Sequence, residues 1–174
     1  MLGGHPEHGK VPGVEASTGS LGHGLPIGVG MAINARIDKE PYRVFVVMGD
    51  GETNEGSVWE SALSASKHRL SNLVAIIDYN KQQSYSTTHE VCDLEPILDK
   101  WRAFGFAAEE VDGHSPDALR EVFQKIPFNP EKPSMIVCHT VKGKGIPFIE
   151  GDLNWHHRNK VTDEDIKQLL EALK

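Results

Sequence analysis

Two short stretches hold the residues with the greatest chemical capacity. Met48-Gly49-Asp50-Gly51 closes one apolar run, and Tyr79-Asn80 follows another. An Asp carboxylate and an Asn carbonyl are hard oxygen ligands of the kind Mg²⁺ takes, and Mg²⁺ completes its octahedron with phosphate oxygens and water. Asn80 lies 30 positions after Asp50, about the length of one strand–helix–strand unit. Two such oxygens can therefore meet at one edge of a parallel sheet, where α/β folds bind their ligands. The glycines flanking Asp50 allow a tight turn and close backbone approach. The helix expected next would point its N-terminus at the same edge, which favours a diphosphate. For the tripeptide alone, a plain turn stays open as the simpler reading; the preceding strand and the strand-ending Asn80 weigh toward a cofactor site. Competing phosphate motifs fit worse. A dinucleotide fingerprint requires glycine where Asn54 stands, and a Walker A loop requires lysine where Ser57 stands.

The elements that must position these residues are legible as hydrophobic patterns. Arg43–Met48 and Leu73–Ile77 read as strands buried on both faces, as in a parallel sheet. Between them, Ser57 and Glu60 suggest a capping box opening a helix with Trp59, Ala62 and Leu63 on its apolar face. Upstream, residues 1–19 read as loop and 20–37 as a buried helix in which Gly28 and Gly30 permit close packing. Downstream, residues 81–92 read as an extended polar loop, 94–104 as a helix and 106–111 as a weaker strand. Ser115 as N-cap, with Pro116 at the first helical position, opens a helix whose stripe is Leu119, Val122, Phe123 and Ile126. Ser134–His139 reads as a further buried strand, 141–161 as loop, and Thr162 starts a final amphipathic packing helix with Ile166, Leu169, Leu170 and Leu173. The alternation predicts one α/β domain over residues 1–174, a doubly wound, mostly parallel sheet with helices on both faces.

Composition narrows the function classes. The formal net charge of −7 and the lack of a basic patch argue against nucleic acid. No apolar run is long enough to cross a bilayer. The N-terminus lacks a signal-peptide pattern, and Cys92 and Cys138 form no paired motif, so a cytoplasmic protein is expected.

At this point the sequence resembles the transketolase family. Gly49-Asp50-Gly51…Asn80 is similar to the thiamine-diphosphate motif that opens with GDG and closes in Asn. Gly4-His5-Pro6-Glu7…Pro12-Gly13-Val14-Glu15…Thr18-Gly19-Ser20-Leu21-Gly22-His23-Gly24 resembles the pattern GHPE…PGVE-x-x-T-G-x-L-G-x-G, and Lys142-Gly143-Lys144-Gly145…Trp155-His156 resembles KGxG…WH. The resemblance implies Mg²⁺, or another divalent cation such as Ca²⁺ or Mn²⁺, on Asp50, Asn80 and the carbonyl of Gln82. It implies a thiamine diphosphate whose diphosphate meets the Gly51 amide and His156, beside the Asn80 metal ligand, with Gly19, Ser20 and Leu21 on the ring side. His5 and His156 would face the sugar as catalytic residues, and Glu55 would link across a subunit interface to the cofactor-activating glutamate of a pyrimidine domain.

The implied activity is transfer of a two-carbon ketol unit from a ketose phosphate to an aldose phosphate. The implied assembly pairs this chain with a C-terminal pyrimidine-domain subunit, as a homodimer or heterotetramer. Family members begin about a hundred residues earlier, within ordinary domain sizes, and the pyrimidine domain is not in this sequence, so the chain alone is expected to lack efficient catalysis. His23 stands where many members have Gln, and His157 where members read Trp-His-Gly. A 2-oxo acid dehydrogenase-type subunit, sharing Asn54-Glu55-Gly56, and a non-catalytic remnant remain as alternatives. Taken by themselves, Glu55 reads as first-turn helix charge, Lys142 and Lys144 as a solvated loop, and His8 and His157 as solvated histidines.

Overall fold

The computed structural model describes residues 5–158 and 160–174. Gly4, which opens the Gly-His-Pro-Glu motif, and Asn159 of the loop 141–161 lie outside the described residues. Four parallel strands form the sheet among the described residues: β1 (Val44–Gly49), β2 (Leu73–Tyr79), β3 (Ala107–Asp112) and β4 (Ser134–His139), in the order β1-β2-β4-β3. The helices are α1 (Gly24–Ile37), α2 (Gly56–Lys67), α3 (Thr88–Val91), α4 (Ile97–Ala103), α5 (Pro116–Gln124) and α6 (Asp163–Ala172).

The strand order turns back on itself at β3, since α5 returns the chain to lie between β2 and β3. Right-handed crossovers then place helices on opposite faces. One core joins α1, α2 and α4 to the sheet through Leu25, Val29, Val58, Ala62, Trp101 and the inward residues Met48 and Ile77. The other packs Val122 and Ile126 against Val74, Ile76, Ile136 and Cys138. The fold is the expected α/β doubly wound one.

Several boundaries differ from the sequence expectation, each for a local reason. β1 is an edge strand with alternating burial rather than one covered on both faces; Phe45 is 47% and Val47 68% exposed. β2 and β4, being central, are the continuously buried ones. α1 begins at Gly24 rather than Ser20, because Gly19 (φ 126°) and Gly22 (φ 77°) turn the preceding chain out of the helical region. Ser57 forms no capping box: its hydroxyl donates to the carbonyl of Gly22 at 2.8 Å, and Glu55 occupies the N-cap of α2 without a side-chain bond. The extended loop 81–92 contains the short helix α3, capped by Thr87. α4 starts at Ile97 because Pro96 sits at its N-cap.

Two caps follow the sequence. Ser115 accepts from the Ala118 amide, with Pro116 at the start of α5, and Thr162 forms a full capping box with Asp165. α6 itself departs from the packing role, since Ile166, Leu170 and Leu173 are exposed.

Candidate cofactor site

β1 ends at Gly49 opposite Asp78 of β2, so Asp50 and Asn80 emerge from neighbouring strands at the same C-terminal edge. Asp50 is 1% exposed. Its Oδ1 accepts from the Gly51 amide at 2.7 Å, and its Oδ2 accepts from the Lys81 amide, the residue after Asn80, at 2.6 Å. The Asp50 carboxylate thus reaches across to the end of β2. Burial raises its pKa above the usual aspartate range; the Lys81 and Gly51 amides and the charge on Lys142 oppose that rise, while Asp78 adds to it. A buried carboxylate of this kind gains from a cation beside it.

Asn80 is set by two contacts. Its Oδ1 accepts from the Gln82 amide at 3.0 Å, and its Nδ2 donates to Asp78 Oδ2 at 3.5 Å. Asp78 also accepts from the Thr140 hydroxyl at the end of β4. Directly after Asp50 comes a 3-10 turn, Gly51–Asn54, capped by Asp50 itself, and α2 begins only at Gly56. The α-helix thus opens within one residue of the expected Ser57, with the 3-10 turn between it and Asp50. The Gly51 amide already donates to Asp50, and Gln83 lies over Gly51: a Cβ there would stand 3.0 Å from Gln83 Cβ and 3.2 Å from its Oε1.

The loop 142–157 closes the site from another side. Gln82 Nε2 donates to the Gly151 carbonyl at 2.6 Å, and Ser84 Oγ bonds His157 Nε2 at 2.7 Å. His156 is half-buried; its pKa is lowered by burial first and then by the charges of Lys142 and His157. Lys142 thus acts on both Asp50 and His156, whereas Lys144 pairs with Glu150 at 3.8 Å. The two lysines, alike in sequence, have separate roles.

On the upstream side, His5 packs against Gly19, where a Cβ would come within 2.8 Å of the imidazole ring. Gly22 docks this loop on the β1–α2 connection: its amide donates to Glu52 Oε1 at 2.9 Å, and a Cβ there would lie 2.6 Å from Glu55 Cβ. Glu52 also accepts from the Gly49 amide at 3.3 Å. Ser20 bonds His23, and Leu21 is exposed. Glu55 is exposed at the N-cap of α2.

Asp50 and residues 80–84 thus come together with the 150–157 loop, His5 comes together with Gly19, and Gly22 ties the 19–22 turn to the β1–α2 connection. Sequence reasoning missed Glu52, Gln83 and Ser84, none of which belongs to a motif; His157, read as solvated, is exposed and bonds Ser84.

The orphaned polar atoms mark the same place. Among the described residues, five buried side-chain atoms lack a hydrogen-bond partner, and three of them, Gln82 Oε1, Gln83 Nε2 and His156 Nδ1, belong to the two loops beside Asp50. Buried polar atoms without partners are costly, so their clustering fits a polar ligand there. The largely apolar groove of about 310 Å³ between Pro6, Val14, Met31 and Phe45 lies elsewhere, along the open edge of β1.

A strand-edge site of this kind on a doubly wound sheet defines a cofactor-binding α/β domain. Residues 1–174 match the family described as transketolase, thiamine diphosphate binding domain. The chain is 46% identical over 157 residues to an apulose-4-phosphate transketolase subunit of Phocaeicola vulgatus, covering 90% of this chain and 56% of that protein. It is 41% identical over 173 residues to a 6-deoxy-6-sulfo-D-fructose transketolase subunit of Clostridium sp. (strain MSTE9), covering 99% and 62%. Transketolase from Campylobacter jejuni superposes with a TM-score of 0.84 at 26% identity, covering 92% of this chain and 26% of that one. A Pichia stipitis transketolase variant gives 0.85 at 29%, covering 95% and 26%. The chain belongs to the transketolase family, in its thiamine-diphosphate-binding domain. It spans 56% and 62% of those two curated relatives.

Proposed function

We propose that this chain is the thiamine-diphosphate-binding component of a transketolase, working with a separate pyrimidine-domain subunit. The observation that carries the reading is the buried Asp50 carboxylate reaching the end of β2 beside Asn80, with unpartnered polar atoms on Gln82, Gln83 and His156 of the two neighbouring loops. Asp50, Asn80 and the Gln82 carbonyl would hold Mg²⁺, the Gly51 amide and His156 would meet the diphosphate, and Gly19, Ser20 and Leu21 would line the ring side. His5 and His156 would face the sugar, and Glu55 would face the partner subunit.

When bound, the cofactor supplies the nucleophilic carbon and the electron sink. The chain's own residues bind and orient it. A lowered pKa keeps His156 neutral near pH 7, so its free nitrogen can accept a proton. The substrate class is a ketose with an anionic group, in line with the phosphate and sulfo groups in the names of the two relatives. The assembled unit is a homodimer or heterotetramer.

The test is calorimetry with thiamine diphosphate and Mg²⁺ on the full chain with its partner subunit, alongside a ketol-transfer assay. Uptake is expected to depend on the divalent cation and to be lost in Asp50→Asn with the fold retained. An assembled complex that takes up no cofactor, or that decarboxylates pyruvate instead of transferring a ketol unit, would overturn the reading.

A further inference from the structure

Residues 82–87 follow Asn80 as a tight turn: Gln82 is bridged antiparallel to Thr87, and the Gln83 amide donates to the Ser86 carbonyl at 2.9 Å. From this turn Gln83 lies against Gly51, while Gln82 and Ser84 reach the loop that carries His156. Their partners, Gly151 and His157, stand on either side of the single turn Leu153–Trp155 and of His156. That turn is also held by Asp152, which accepts from the Asn154 amide, and by the Gly151 amide, which donates to the Lys142 carbonyl at 3.0 Å. His156 therefore sits between two anchors, both fixed to the segment whose Lys81 amide donates to Asp50. The two neighbouring imidazoles meet edge to face, with centroids 4.6 Å apart.

We propose that Ser84 and His157 are positioning residues: their hydrogen bond, acting with that between Gln82 and Gly151, fixes the His156 imidazole at the cofactor site. The proposal rests on the cofactor reading given above. A glycine following His156, as in the Trp-His-Gly pattern, would offer Ser84 no side-chain partner, so the clasp depends on His157. It also joins the metal side of the site to the histidine side, since the segment 80–84 serves both.

The experiment is a double-mutant cycle on the full chain with its partner subunit, with thiamine diphosphate and Mg²⁺ titrated by calorimetry. Ser84→Ala and His157→Ala are each expected to weaken uptake about 3- to 10-fold, the range of one net hydrogen bond. The double variant should be no weaker than either single one, because both substitutions remove the same bond. His157→Gln, whose amide nitrogen stands near the place of the ring Nε2, should restore affinity, which a merely structural loss would not do. Hydrogen exchange reads the clasp without any cofactor: amides of residues 153–157 should exchange faster in both single variants and no faster in the double. Unchanged affinity and exchange, or losses that multiply in the double variant, overturn the proposal. If the wild-type assembly takes up no cofactor while the variants show the exchange pattern, the reading of the site is overturned and the clasp stands.

Discussion

At the scale of single residues, the charge on Lys142 is felt by two titratable groups of the site, Asp50 and His156. Its charge opposes the burial that raises the Asp50 pKa, and it adds to the burial that lowers that of His156. For His156 the consequence has a definite direction. An unfolded chain protonates this imidazole near the ordinary histidine value of about 6.5, while the folded chain resists until lower pH. The neutral form is the one compatible with the fold, so stability is fully present above the ordinary value and falls as acid is added through it, down to the lowered folded value. An NMR titration of the imidazole resonances should place the His156 midpoint below 6.5. Lys142→Met should move it back toward the ordinary value, and a midpoint that ignores the substitution would mean that the lysine does not reach the ring.

Between the elements, two glycines on α1 separate packing from propensity. A Cβ on Gly28 would run into the Cγ2 methyl of Val46 on β1, whereas a Cβ on Gly30 meets nothing within 4 Å. Gly30→Ala should therefore stabilise the chain by about 0.5–1 kcal/mol, the helix-propensity gain. Gly28→Ala should destabilise it, because overpacking costs about 1–3 kcal/mol against that gain; in Gly28→Ala with Val46→Ala the clash should disappear. Urea midpoints measure both, and a stabilised Gly28→Ala would show that helix and strand can part without loss. Sequence alone treats the two glycines alike, since spacing along a helix does not say which face meets the sheet. Legibility elsewhere followed the same division. The strands, the Ser115 and Thr162 caps and the shared edge of Asp50 and Asn80 were readable because local pattern and the strand–helix–strand unit determine them. The 3-10 turn after Asp50, the capture of the Ser57 hydroxyl by Gly22 and the clasp of Ser84 on His157 were not, because each depends on a partner 35 or more positions away or on the course of the loop.

Across the whole molecule, the sheet has two edge strands among the described residues, β1 and β3, and only β1 leaves large apolar side chains exposed. β2 and β4 are covered on both faces, while on β1 the alternate residues Phe45 and Val47 remain uncovered beyond the reach of Phe123, whose ring lies 6.2 Å from that of Phe45. Among the described residues β1 thus presents an apolar strip beside unpaired strand edge, the kind of surface that is normally buried against something. Neighbouring positions on β1 make a sharp comparison. Val46 is buried under α1, and replacing it with lysine would place an unpaired charge in the larger core. Val47 is 68% exposed, so Val47→Lys should change stability by no more than about 0.5 kcal/mol while breaking the strip. A dye that fluoresces on exposed apolar surface, 8-anilinonaphthalene sulfonate, should bind the folded wild-type chain and bind Val47→Lys less, with thermal midpoints nearly equal. Val46→Lys should instead lose its cooperative transition. Equal dye binding by the wild-type chain and Val47→Lys would mean that the strip is already covered in solution, and light scattering would then show whether a second copy covers it.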